Sequence, residues 1–251
     1  MSWTLVGVDC AAREERTGLA YGVLHDDGAL ELRRATLGTA GESASATIAG
    51  WIAGQARFAI AFGAPLGWPL GLVDSLAQHR AGQALALEAE RMFRRETDRY
   101  VHAQLGKLPH EVGADRSART AHAALALLAD VRAQADRAVP LSWLPGEQSG
   151  VIEVHPAATL LSRGIKSGGY KGDASKPRAA RARIWRRMLS ELRTELSEEL
   201  LTEDEDMLDA AVCVLAAADF ARGHALPPED RARAEREGWI WFRGSGQRAL
   251  F

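Results

Sequence analysis

Four carboxylates stand where regular structure would hold them stiffly. Asp9 closes an apolar, β-prone run, Trp3–Asp9. Glu153 lies inside another, between Ile152 and Val154. Asp206 and Asp209 are three apart on an apolar helical stretch, Asp204–Arg222, and so share one face of it. Gathered over one end of a sheet, such acids suit phosphodiester hydrolysis. The substrate is anionic, and its transition state collects further charge on the attacking and leaving oxygens. Two Mg²⁺ ions about 3.5–4 Å apart stabilise both and lower the pKa of the attacking water. Mg²⁺ prefers oxygen and usually takes one or two carboxylates per ion. The cations also cancel the mutual repulsion that otherwise raises carboxylate pKa values.

Plainer readings stand beside this one. Asp206 at a helix start favours the helix dipole, by tenths of a kcal/mol to about 1 kcal/mol. Asp9 equally suits a turn cap. Asp209 is harder to dismiss, because Leu208, Ala210, Ala211 and Val212 surround it and a buried unpaired carboxylate is costly. It is paired, metal-bound or at a cleft edge, and Glu153 poses the same question. Cys10, next to Asp9, is a poor nucleophile, since the neighbouring charge raises its thiol pKa. Cys213 belongs to a core, and His155, with no second ligand at zinc spacing, to the structure.

The elements that must carry these acids follow from periodicity and punctuation. Trp3–Asp9, Gly18–His25 and Ala29–Leu37 read as three antiparallel strands, the last two joined by His25-Asp26-Asp27-Gly28, whose Asp-Gly is a hairpin signal. Glu42–Ala56 reads as a helix and Arg57–Phe62 as a strand that runs into the Gly- and Pro-rich segment 63–69. From Leu70 to about Arg137 the pattern is helical, with a break near Gly106–Gly113. Val151–Val154 is a strand stopped by His155-Pro156, and Gly164–Gly172 leads to a basic helix around Lys176–Leu192. Pro227-Pro228 is expected to start a short helix, and Gly238–Phe242 to be an edge strand. This order predicts an α/β fold: a ribonuclease-H-like mixed five-stranded sheet flanked by helices. It forms a single domain over 1–251, with a helical insertion at about 70–149.

Composition sets the outer bounds. The chain has 251 residues, 47% hydrophobic and 25% charged, which excludes a disordered chain. The net charge of −2 gives no global attraction to nucleic acid or membrane, so any polyanion site is a local patch. Two cysteines exclude a disulfide framework or a Cys-rich zinc site. No apolar run reaches membrane-spanning length, and Met1-Ser2-Trp3-Thr4 lacks the pattern of a signal peptide. A cytoplasmic location without membrane association is the expectation, with oligomeric state open.

Read together, the motifs resemble an uncharacterised ribonuclease-H-like family, domain of unknown function 429, often described as predicted nucleases. The resemblance runs along nearly the whole chain. It rests on Gly7-Val8-Asp9, Ala64-Pro65-Leu66-Gly67-Trp68-Pro69, Arg95-Glu96-Thr97-Asp98, Glu153-Val154-His155-Pro156, Tyr170-Lys171-Gly172, Asp206-Met207-Leu208-Asp209-Ala210 and Glu237-Gly238-Trp239-Ile240. It implies that Asp9, Glu153, Asp206 and Asp209 line a catalytic site, with Asp9, Glu153 and Asp209 as ligands of Mg²⁺ or Mn²⁺. It implies roles around that site for Arg95, Thr97, Asp98, Tyr170 and Lys171. Lys171 suits a phosphate contact or a solvated loop; Arg95 suits the site or a charged helix face shared with Arg91, Arg94 and Arg99. One position departs from the family pattern. Gly63 stands where an acid usually precedes the Ala-Pro-Leu-Gly segment, so one metal is expected to bind poorly or not at all. Another acid compensates, the enzyme is weakened, or the change is engineered.

Three functional readings follow. The first is a metal-dependent nuclease, with Lys171, Arg95 and the basic helix (Lys176, Arg178, Arg181, Arg183, Arg186, Arg187) steering a nucleic acid. The second is a nucleic-acid or protein-binding module that has lost catalysis through Gly63. The third is an actin-like ATP-dependent phosphotransferase, opposed by Cys10-Ala11-Ala12-Arg13-Glu14-Glu15 where a Gly- and Ser/Thr-rich phosphate turn is needed. No Gly-x-Ser-x-Gly elbow supports a serine hydrolase.

Overall fold

A computed structural model of the chain describes residues 2–38, 42–113, 115–172 and 174–244. Trp3–Asp9 (β1), Gly18–Leu24 (β2) and Leu30–Leu37 (β3) make an antiparallel meander. The β2–β3 link closes as its Asp-Gly predicts. His25 and Ala29 pair across it, and Gly28 sits at φ 84°, a left-handed backbone that glycine adopts without steric cost. Ala44–Ile52 (α1) is capped by Ser43, whose hydroxyl accepts from the Ala46 N–H at 3.2 Å. It crosses to Phe58–Phe62 (β4), which pairs parallel with β1. Gly150–Glu153 (β5) then pairs parallel with β4.

The sheet order is β5-β4-β1-β2-β3-β6, the expected ribonuclease-H-like arrangement with one strand more than predicted. The addition, Arg193–Thr194 (β6), is a two-residue parallel strand on the β3 edge. Between β4 and β5 come Leu70–Leu76 (α2), Ala89–Phe93 (α3), Glu96–Leu105 (α4) and Asp115–Gln134 (α5). After β5 come Pro156–Leu161 (α6), Ser175–Met188 (α7), Glu198–Glu203 (α8), Glu205–Ala221 (α9) and Arg231–Glu237 (α10). No helix among the described residues is long and apolar enough to cross a membrane.

Several local expectations change, each for a stated reason. The helical stretch after Leu70 is interrupted over 77–88 as well as near 106–113. The helix expected at Pro227-Pro228 begins at Arg231, because the Asp230 carboxylate accepts from the Arg233 N–H and caps the first turn there. The expected edge strand at Gly238–Phe242 is reduced to an isolated bridge from Ile240 to Glu153. The Ile240 N–H donates to the Thr97 hydroxyl at 2.8 Å instead of entering a ladder. The stop at His155-Pro156 starts α6, with His155 Nδ1 accepting from the Ala158 N–H.

Strand alternation divides the core. Val6, Val8, Phe58, Ile60, Phe62 and Val151 pack with α1 and α5 on one face. Leu5, Ala20, Ala59, Ala61, Ile152 and Val154 meet α7 and α9 on the other. On that second face small residues let α9 lie very close. A Cβ on Gly7 would collide with the Ala210 carbonyl, and one on Gly18 with the Asp206 carbonyl. Gly7→Ala is therefore expected to cost about 1–3 kcal/mol or more, read as a lower urea midpoint. Gly50, inside α1 with open space where its Cβ would go, is the control: Gly50→Ala should stabilise by about 0.5–1 kcal/mol.

Candidate functional site

Asp9 is the last residue of β1, opposite Gly18 in the antiparallel register. Gly7, two residues earlier, and Gly18 share its face and seat the 206–210 turn of α9 directly over it. This brings Asp209 to Asp9. Burial raises the Asp9 pKa well above its ordinary value, and the Asp209 charge raises it further. Burial likewise raises Asp209, against the opposing pull of Lys171 and Tyr170. The two carboxylates thus interact at the end of β1, and Asp9 has no hydrogen-bond partner among the described residues.

Asp209 is held from the Tyr170-Lys171-Gly172 segment. The Tyr170 hydroxyl donates to Oδ1 at 2.8 Å, and Lys171 Nζ pairs with Oδ2. Tyr170 is buried and its hydroxyl pKa is pushed up by burial and then by Asp209, so it stays a donor. The Lys171 side chain is 51% exposed, leaving part of the ammonium open to a second anion. Burial works against its charge, and Asp209 and Asp9 outweigh that, so its pKa is raised. The segment is fastened from below by Arg181. This buried guanidinium donates to the carbonyls of Tyr170 and Gly172, each at 2.8 Å, of Thr202 at 2.6 Å and of Glu203 at 3.2 Å. The Gly172 N–H in turn donates to the Glu205 carboxylate.

Asp206 sits at the rim of the same turn. Its carboxylate pairs with Arg16 at 2.7 Å, while Asp204 caps α9 through the N–H groups of Asp206 and Met207. Burial, only partly offset by Arg16, pushes its pKa up to about 6.

Glu153 is placed elsewhere, contrary to the expected convergence. Along β5 it alternates onto the face of Val151, while Asp9 shares the opposite face with Leu5 and α9. There it joins a buried ion cluster. Arg95 grips it with two bonds of 2.8 and 2.9 Å and binds Asp98 through Nη2 at 3.0 Å, and the Leu66 N–H donates to Glu153 at 2.9 Å. Burial opposes the Arg95 charge, yet Glu153 and Asp98 keep it fully protonated. Burial raises Glu153 and Arg95 draws it back. Arg95, Thr97 and Asp98 thus form a structural junction with the 237–240 segment, through the Glu237 carbonyl and the Ile240 N–H. The Arg95 alternative of a charged helix face does not hold, because its side chain is 1% exposed.

Gly63 lies on the Asp9 face. A Cβ there would stand 3.0 Å from Asp9 Oδ1 and 3.1 Å from Cys213 Sγ, so a side chain at this position points at the carboxylate pair. Cys213 is buried core, and the Cys10 thiol is pushed up to about 12 by burial and then by Asp9. His155 is pushed down to about 4 by burial and serves as a neutral helix cap.

Sequence reasoning missed Arg181, which it grouped with the exposed basic residues of α7. The signal was present: Arg181, Ile184, Trp185 and Met188 recur at helical spacing, and all four are buried. Arg16, Glu205 and Glu237 carried no comparable pattern.

The donor set bears on metal binding. Among the described residues no group of three or more His, Cys, Asp or Glu is placed to hold a metal ion. A two-ion centre built from Asp9, Glu153 and Asp209 does not fit, since Glu153 is spent on Arg95 across the sheet. What remains on the other face is two carboxylates: Asp209, held by Tyr170 and Lys171, and Asp9, which has no hydrogen-bond donor among the described residues.

Strand order and helix placement define a ribonuclease-H-like fold, with Asp9 at the end of its central strand. The chain belongs to the family described as Protein of unknown function (DUF429), whose model matches residues 7–233. Among solved structures, a yeast mitochondrial Holliday junction resolvase, Ydc2, is similar over 87% of this chain and 79% of that one, at 8% identity and a TM-score of 0.39. No curated protein matches the chain.

Two outcomes follow from these contacts. Glu153→Gln should destabilise by about 3–5 kcal/mol, because it leaves half of a buried ion cluster uncompensated; urea unfolding reads it. Asp206 should make the protein less stable as pH rises from about 4 to about 6. Over that window the unfolded chain releases the proton while the folded site retains it. Asp206→Asn should remove this share of the slope, seen by subtracting the two profiles of Tm against pH.

Proposed function

We propose that the chain is a metal-dependent phosphodiester hydrolase acting on nucleic acid, through one Mg²⁺ or Mn²⁺ ion. The observation that carries this reading is the Asp9–Asp209 pair: two carboxylates near enough at the end of the central strand for Asp209 to raise Asp9, which has no hydrogen-bond partner among the described residues. A divalent ion there would lower the pKa of a bound water and stabilise charge on the phosphate. Asp9 and Asp209 would hold it. Tyr170 fixes one oxygen of Asp209, and so the direction of the carboxylate. Lys171, half in solvent beside the pair, offers a point charge to a phosphate oxygen.

Lys176, Arg178, Arg183 and Arg187 lie on the exposed side of α7, the helix whose Arg181 fastens the Lys171 segment. They provide the local positive patch that a chain of net charge −2 needs to attract a polyanion. Gly63 favours a second reading, a nucleic-acid-binding module without turnover, because no carboxylate joins Asp9 from that position.

Calorimetry with Mn²⁺ and cleavage assays on DNA and RNA test the proposal. The wild type should bind one Mn²⁺ and cleave with Mg²⁺ or Mn²⁺ present. Asp9→Asn should lower both by about 100-fold or more. Gly63→Asp, which adds a carboxylate toward Asp9, should tighten metal binding. Absence of binding and cleavage in both the wild type and Gly63→Asp would overturn the hydrolase reading. Salt-dependent nucleic-acid binding without turnover would favour the second.

A further inference from the structure

The helical insertion holds a cavity of about 310 Å³, lined by Gly71, Leu87, Glu90, Arg91, Arg99 and Arg233. Its walls come from α2, the segment before α3, α3, α4 and α10, none of which carries a residue of the Asp9 cluster. Gly71 sets one wall: a Cβ there would reach to 2.5 Å from the Arg91 carbonyl, so only glycine lets α2 seat this closely on α3.

The charges of the lining are unevenly matched. Glu90 is engaged by Arg94 at 3.3 Å. Arg233 is shared by Glu96 at 3.3 Å and Glu237 at 3.1 Å. Arg91 and Arg99 have no carboxylate partner among the described residues, and Arg99 spends one Nη1 donor on the Arg94 carbonyl at 2.9 Å. Two arginines with unused donors therefore line one concave space. An anion bound there would be drawn to both charges, and the planar fork of arginine matches phosphate oxygens in pairs. The volume is at the lower end of small-ligand cavities, about 300–1,000 Å³, which suits a phosphate carrying a sugar.

We propose that this cavity binds a sugar-phosphate unit, with Arg91 and Arg99 gripping the phosphate, and that the unit belongs to a nucleic-acid strand. The strand rests on the function proposed above; the phosphate does not. On the full chain in EDTA, calorimetry with inorganic phosphate and a nucleoside monophosphate, and fluorescence polarisation with a labelled single-stranded oligonucleotide, test it. All three probes should bind the wild type. Arg91→Gln/Arg99→Gln should weaken each by about 10-fold or more and make the oligonucleotide's salt dependence shallower by about one to two charges. Arg91→Glu, at an exposed position, should do the same without the risk of disturbing α4. Asp9→Asn should leave phosphate binding unchanged. Equal binding by wild type and both arginine variants, or no binding of phosphate at all, would overturn the pocket. Binding of the monophosphate but not the oligonucleotide would uphold the pocket and overturn the strand. A loss of metal binding alone would strike the proposed function and leave the pocket standing.

Discussion

The distance between α9 and the sheet governs the site. An ordinary helix packs on a sheet through side chains on both layers. Here Gly7 and Gly18 remove those side chains beside Asp9, and the carbonyls of Ala210 and Asp206 come down onto bare strand backbone. Asp209 is carried along, because it lies on the turn that these glycines seat. A buried Asp209 and a half-buried Asp9 would otherwise avoid each other, since each charge raises the cost of ionising its neighbour. They meet because backbone packing along α9, with many buried alanines and aliphatic residues, outweighs a repulsion confined to one point. The site is in this sense strained by the fold and relieved by cations: Lys171 within the chain, and a divalent ion in the proposed function.

The second ionic centre works by opposite rules. Around Arg95 every charge has a partner, with Glu153 and Asp98 on one guanidinium and the Leu66 N–H on Glu153. A fully satisfied buried cluster fixes geometry without inviting a ligand. Its role is assembly. Glu237 carries this further, accepting from the N–H of Leu70 with one oxygen and from that of Glu96 with the other. One carboxylate thereby caps the first turns of α2 and α4. The last helix of the described chain clamps the insertion to the sheet, and the cavity lined by Arg91 and Arg99 lies within the clamped region.

Much of this was legible in the sequence, and the gaps have physical causes. Strand order followed from alternation, the Asp-Gly turn and Gly-Pro punctuation, which are local signals. Element ends moved where a tertiary bond replaced a local one, as when Thr97 took the Ile240 N–H from a ladder. Asp9 and Asp209 stood out as acids in apolar surroundings, and so did Glu153. The sequence does not say which face of β5 meets α9, so the three looked alike while the sheet puts Glu153 on the far side. Arg181 was readable from its apolar stripe and was overlooked because basic residues surround it. The small residues Gly18, Ala20 and Gly22, alternating along β2, also announced the close approach of α9.

Gly63 makes sense within the same electrostatics. A carboxylate at this position would point at Asp9 from 3.0 Å at its Cβ, adding a third negative charge to a pair that burial already disfavours. Lys171, the one cation of the Tyr170-Lys171-Gly172 segment, already balances Asp209, so a third carboxylate would exceed the charge it can offset. In the absence of a divalent ion, glycine keeps the pocket closer to neutral and lets Asp9 and Cys213 pack against bare backbone. In the proposed function, the same glycine would limit the coordinating carboxylates to those of β1 and α9. The residue that keeps the charge beside Asp9 low is thus the one that, in the proposed function, would limit how many cations bind there.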